Sequence, residues 1–180
     1  MANKEALRAL QQRLAERLNL VRQQAPLRNF LAVEIAGHGF LLPLDQVGEI
    51  FPLTAIQEVP HCQDWFLGVA NLRGQLHGVT DLAAYLGLNA RTPRRVSADA
   101  GVRDAGRLIA FNAGLQMNAA LWIDRLMGLR NPQTLQAGDE DPAGRPHFVG
   151  GTWRDDQGRS WYELDLAALV ADEHFLKIDG

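Results

Sequence analysis

The chain has 180 residues, 47% of them apolar and 22% charged, with a formal net charge of −3. That composition fits one globular domain or two small ones, and it speaks against a general nucleic-acid binder, which needs a basic face. No apolar run approaches the roughly 18 residues of a membrane-spanning helix.

In chain order, Leu7, Leu10, Leu14, Leu18 and Val21 recur at three- and four-residue steps, with no Gly or Pro before Pro26. The spacing predicts an amphipathic helix over 3–24, roughly 33 Å long, within an N-terminal helix-and-linker unit spanning 1–28. It either packs on the body of the protein or docks on a partner. It carries Lys4, Arg8, Arg13, Arg17 and Arg22, and residues 139–180 are rich in acids. Such asymmetry can steer a partner. The N-terminus has no apolar core of a secretory signal, and the single cysteine, Cys62, has no internal disulfide partner. Both features fit the cytoplasm.

From Phe30 the apolar period becomes two. Phe30–Ile35 and Phe40–Leu44 read as strands around the turn at Ala36–Gly39. Pro43, which lacks an amide hydrogen, predicts an edge or a bend. Val47 and Ile50 begin the next buried run. Leu67–Leu72 and Gln75–Val79 flank a tight reversal at Arg73-Gly74. Asp81 is placed to cap a short helix that Gly87 ends. Residues 89–106 are polar and predict a connector. Strands then follow over 107–112 and 117–123, a Pro- and Gly-rich loop over 131–147, strands near 148–154 and 160–164, and a last short helix capped by Asp165.

The chain repeats itself at an offset of about 80 residues, and fixed-offset self-similarity reports architecture. Phe66, Gly68 and Asp81-Leu82-Ala83-Ala84 answer to Phe148, Gly150 and Asp165-Leu166-Ala167-Ala168, and the segment 45–50 answers to 124–129. Short strands with regular turns predict antiparallel barrels. The expected fold is therefore mainly β: two lobes, one over 29–90 and one over 107–170, joined by a connector over 91–106, with a leading helix.

No chemistry-bearing constellation emerges. The five histidines (38, 61, 77, 147, 174) show no metal-ligand spacing. There is no phosphate-binding glycine loop and no nucleophile elbow. Cys62 follows His61, but adjacent loop residues rarely face each other. No catalytic, metal or cofactor residue is assigned.

One feature of the first copy has no match in the second, the turn Asn71-Leu72-Arg73-Gly74. An exposed ion pair contributes about 0–1 kcal/mol, whereas an interface arginine can contribute about 2 kcal/mol or more, so Arg73 is better suited to recognition than to folding. The run Phe40-Leu41-Leu42-Pro43-Leu44-x-x-Val47-x-Glu49-Ile50, then Gly68-Val69-x-Asn71-Leu72-Arg73-Gly74, then Val79-x-Asp81-Leu82, resembles the CheW family of chemotaxis adaptors. The resemblance covers about 29–170. The helical extension with Trp65-Phe66-Leu67 is similar to the twitching-motility (PilI) subgroup.

The resemblance implies two five-stranded SH3-like barrels and no catalysis. It implies binding of a histidine kinase regulatory domain at a barrel end, and of a chemoreceptor's cytoplasmic hairpin tip between the lobes. Carried onto this sequence, the partner-interface residues are Val47, Glu49, Asn71, Leu72, Arg73 and Gly74, with Glu49 and Arg73 as a charge pair. It further implies a cytoplasmic adaptor recruited to receptor arrays at the inner membrane, without cofactor, nucleic acid or membrane insertion. Self-association through barrel ends is compatible with it. The alternatives are a kinase-side regulatory module without receptor binding, and a small-ligand-binding barrel. One departure stands out: His77-Gly78 occupies the place where the family usually carries Pro before V-x-D-L.

Overall fold

The computed structural model describes residues 28–88, 106–138 and 145–180. The expected helix over 3–24 and most of the connector lie outside these residues.

The strands are β1 (Phe30–Ile35), β2 (His38–Pro43), β3 (Val47–Pro52), β4 (Phe66–Leu72), β5 (Gln75–Asp81), β6 (Arg107–Phe111), β7 (Ala119–Ile123), β8 (Arg125–Arg130), β9 (Gln136–Ala137), β10 (Val149–Arg154) and β11 (Ser160–Leu164). Among the described residues, the one-turn helices α1 (Leu82–Tyr85) and α2 (Leu166–Leu169) each follow a strand, and α3 (Glu173–Leu176) follows α2. α2 is thus not the last helix, as the sequence suggested. The β1–β2 and β4–β5 hairpins turn through Ala36-Gly37 (φ +50°, +80°) and Arg73-Gly74 (φ +50°, +84°). Positive φ at both central residues marks the turn whose twist matches paired strands. Asp81 and Asp165 cap α1 and α2 as expected. Each accepts two amide hydrogens, from Ala83 and Ala84 in one case and Ala167 and Ala168 in the other.

The halves of the sequence and the halves of the molecule do not coincide. One sheet runs β8-β1-β2-β11-β10-β9 and the other β3-β6-β7-β5-β4. The opening hairpin of each copy has crossed over. β1–β2 lies with the strands of the second half, through parallel pairing of β2 with β11. β6–β7 lies with the strands of the first half, through parallel pairing of β7 with β5. The division into a first lobe ending near residue 90 and a second beginning near 107 is corrected accordingly. Local pattern defines strands, but strand partners are a long-range choice.

Each sheet is closed by the chain that leaves the third strand of a sequence copy, β3 in one and β8 in the other. Beyond β3, Gln57 exchanges two backbone hydrogen bonds with Val69 of β4, at 2.8 and 2.9 Å. Beyond β8, a 3-10 turn at Pro132–Thr134 leads into β9, which pairs with β10. The five-stranded barrel expectation is thus met, with the two-residue β9 as a sixth, closing strand. We call the β1-containing barrel the first and the β3-containing barrel the second.

Both faces of the crossed-over hairpins are apolar because both are buried. Phe30, Ala32 and Leu41 fill the first barrel around Trp161. Leu72, Val79, Leu108, Ala110 and Trp122 fill the second. Leu31, Val33, Ile35, Phe40 and Leu42 instead face Ile109, Phe111, Leu121 and Ile123 across a third core between the barrels. Trp161 is wholly buried; a Cβ on Gly39 would lie 2.7 Å from its ring, so β2 needs glycine beneath it.

The repeat register also shifts by one residue. The Asp81 amide donates to the Trp65 carbonyl (2.9 Å) and the Asp165 amide to the Phe148 carbonyl (2.8 Å), so Phe148 answers to Trp65 and not to Phe66. The Pro43 expectation is met in part. β2 is an internal strand, but β11 pairs only with Gly39–Leu41, and Pro43 runs on beyond it.

Candidate protein–protein interface

The Asn71–Gly74 turn stands at one end of the second barrel. The Asn71 side-chain oxygen accepts the Gly74 amide at 2.8 Å, which fixes the turn from within. Arg73, thrown outward at φ +50°, places Nη2 2.7 Å from Oε1 of Glu49 on β3. β3 and β4 are opposite edges of the sheet, so this ion pair spans the seam where the barrel closes. Its side chains are 76% and 43% exposed.

The energetics of Arg73 are unfavourable to a purely structural role. A non-glycine residue in the left-handed region costs roughly 1–2 kcal/mol, and a solvated ion pair returns about 0–1 kcal/mol. Glycine or asparagine would serve the turn better. The fold gains nothing net from arginine at this position, and what arginine adds is an oriented guanidinium at the barrel rim.

The six sequence-predicted interface residues divide. Glu49, Asn71, Arg73 and Gly74 come together on the surface. Leu72 does not: it is buried in the interior of the second barrel. Val47 is buried in the core between the barrels. Neither presents surface to a partner, and both act by holding β3 and β4. Alternation of successive side chains separates Leu72 from Asn71, and on β3 the register shift between Val47 and Ile50 lets Glu49, two residues beyond Val47, turn outward.

The sequence reading missed Leu76. It pairs with Asn71 across the hairpin and so shares its outward face, and it is 64% exposed. An apolar group beside a charged pair on a barrel end has the anatomy of an interface centre with a polar rim. The period-two pattern of Gln75–Val79 contained that signal, since His77 and Val79 are buried and Leu76 lies at the opposite parity. The Gly78 departure also gains a local reason. The Gly78 amide donates to the Asn118 carbonyl at 2.9 Å, a bond proline would lose, and a Cβ there would lie 3.0 Å from the Phe66 ring.

The matching hairpin of the first barrel is built inward. Trp161 donates its indole hydrogen to Asp155 at 2.9 Å, with the guanidinium groups of Arg159 and Arg130 at 4.7 and 5.4 Å from its ring. Arg159 also pairs with Glu34 at 2.7 Å. Burial pushes the Asp155 carboxyl up. The Trp161 indole, the Arg159 and Gln157 amides and the charge of Arg130 outweigh it and hold the group below its ordinary value. Half-buried Trp153 packs against this core and donates to Glu163 at 3.2 Å. Trp161 is therefore core, and the charges of Asp155 and Arg159 are committed to the fold, whereas Arg73 faces outward.

Among the described residues, no group of three or more His, Cys, Asp or Glu side chains is placed to hold a metal ion, and no helix is long and apolar enough to cross a membrane.

The CheW-like domain model matches residues 29–174. The chain is 24% identical over 151 residues to Protein PilI of Pseudomonas aeruginosa, covering 82% of this chain and 78% of that one. It is 37% identical over 66 residues to a probable chemotaxis protein CheW of Rhizobium etli, covering 37% of this chain and 43% of that one. Its fold superposes on the scaffolding protein TtCheW of Thermoanaerobacter tengcongensis with a TM-score of 0.60 at 19% identity, over 76% of this chain and 88% of that structure. Two closed barrels with a charged turn at one rim, matched by the domain model over nearly all the described residues, place this chain in the CheW-like domain family.

Proposed function

We propose that this protein is a non-enzymatic cytoplasmic adaptor that holds a chemoreceptor's cytoplasmic tip and a histidine kinase regulatory domain in one assembly. The observation that carries the reading is the exposed Arg73–Glu49 pair beside Leu76, built on an arginine that the hairpin turn itself does not need. The kinase docks at this rim, with Leu76 buried at the centre and the ion pair fixing orientation. The receptor tip takes the junction between the barrels. Each contact is weak alone, and holding both partners at once raises avidity through effective concentration. The similarity to PilI supports a surface-motility output over a flagellar one.

The test is co-sedimentation with receptor-containing membranes and the cognate kinase. Wild type is expected to carry kinase into the pellet. Arg73→Asp, folded by circular dichroism, is expected to lose at least about 2 kcal/mol of kinase affinity, the scale of a central interface arginine. Kinase binding without membrane association would identify a kinase-side module. Association with neither partner would sink the adaptor reading.

A further inference from the structure

Past β11 and α2 of the first barrel, residues 171–180 run onto the second. Phe175 of α3 is buried. It stacks on Trp65 (5.7 Å, 13°), meets Tyr85 edge-on (5.5 Å) and lies 6.4 Å from Phe111. These three rings belong to the approach to β4, to α1 and to β6, all elements of the second barrel. Asp172 caps α3 and accepts the Tyr85 hydroxyl at 2.9 Å. Beyond α3, the Gln63 amide donates to the Ile178 carbonyl (2.8 Å), the Gly180 amide to the His61 carbonyl (3.1 Å), and the Gln63 side chain to the Asp179 carbonyl (3.0 Å).

The segment so gripped, 61–65, belongs to the β3–β4 passage that closes the second barrel. Four residues before His61 is Gln57, whose two bonds to Val69 make the closure. Glu49 precedes that passage and Arg73 follows it.

We infer that residues 171–180 are a strap whose seating on the second barrel sets how firmly that barrel closes, and through it the presentation of Glu49 and Arg73. Seated, Phe175 in its aromatic socket and the tail along 61–63 hold the passage against β4. Unseated, the passage keeps the packing of Leu53 and Ile56 but loses its bonds at His61 and Gln63, and the Gln57–Val69 seam opens more often. A partner that lifts the tail would thereby alter a surface that the tail does not itself form. The strap's effect on closure is independent of the adaptor reading; its effect on partners rests on it.

Cys62 and Asp179 face each other as an antiparallel pair whose hydrogen bonds lie on either side of them. Such pairs have α-carbons about 4.5 Å apart, within disulfide range. Asp179→Cys, oxidised against Cys62, locks the strap down, and reduction releases the lock. The measurement is amide hydrogen exchange at Gln57 and Val69 in the isolated full chain. Phe175→Ala is expected to speed exchange there by on the order of tenfold, and oxidation of Phe175→Ala/Asp179→Cys to reverse most of that change. Should Phe175→Ala fail to fold, Asp179→Cys alone decides, since oxidation must slow exchange at both amides relative to the reduced form. Exchange at Gln57 and Val69 that ignores the lock overturns the inference, whatever happens at Trp65. Exchange that obeys the lock in a protein that never binds kinase leaves the strap standing and removes the adaptor reading.

Discussion

At the scale of single residues, backbone geometry separates what the fold requires from what it tolerates. Gly68 (φ +125°) is a requirement: a Cβ there would sit 2.1 Å from the Gln57 carbonyl oxygen, inside the bond that closes the second barrel. Gly68→Ala is expected to lose at least about 2 kcal/mol of stability, read as a lowered urea midpoint. Arg73 is tolerated. Arg73→Gly removes the left-handed strain and a solvated ion pair together, so stability should hold or rise by up to about 1 kcal/mol. Binding of the proposed kinase partner should weaken as is expected for Arg73→Asp. A variant that is no less stable yet fails to bind separates recognition from folding; a large fall in stability would return Arg73 to the turn as a structural residue.

At the scale of elements, the caps do more than start helices. Gln46, buried before β3, donates to the Asp165 cap at 2.9 Å and accepts the Leu166 amide at 2.7 Å, so a second-barrel strand helps to hold a first-barrel helix. Asp172 plays the matching part at the strap. Burial pushes its carboxyl up, but the Phe175 amide, the Tyr85 hydroxyl, the His174 amide and the charge of His147 hold it below the ordinary value. Burial, then the bond to Asp172 and its charge, in turn raises the Tyr85 hydroxyl well above its usual range. A carboxyl lowered in the folded state stabilises above its unfolded value of about 4, and that contribution is lost as pH falls through the folded value. Asp155 acts in the same direction. The urea midpoint is therefore expected to decline as pH drops below about 4, and Asp172→Asn to flatten that decline. A midpoint as steep in the variant as in wild type would remove Asp172 from the explanation.

At the scale of the molecule, the crossed-over hairpins make two barrels into one cooperative unit. Neither half of the sequence contains a complete sheet, because β1–β2 completes the barrel of the second half and β6–β7 that of the first. The largest core lies between the barrels and draws on both halves. Fragments 1–90 and 106–180, expressed separately, are expected to be largely unfolded alone and to regain strand content when mixed, followed by circular dichroism. Independent folding of either fragment would restore the contiguous lobes that the repeat suggested. The same interlocking suits the proposed adaptor, since the second-barrel rim and the junction between the barrels stay in one fixed relation.

Much was legible before any coordinates. Alternating apolar residues marked most of the strands, Gly-containing pairs marked the hairpin turns, Asp81 and Asp165 marked the caps, and Asn71-Leu72-Arg73-Gly74 marked the charged turn. All of these rest on neighbours a few residues apart, where steric preference and local hydrogen bonding decide the outcome. Three things needed the tertiary structure: the exchange of hairpins between barrels, the inward turn of Leu72 and Val47 away from the surface that Leu76 shares with Arg73, and the seating of Phe175 among Trp65, Tyr85 and Phe111. An apolar face records that a strand must be covered and not by what. The cover is chosen by packing between segments that lie far apart in the chain, and no local pattern encodes that choice.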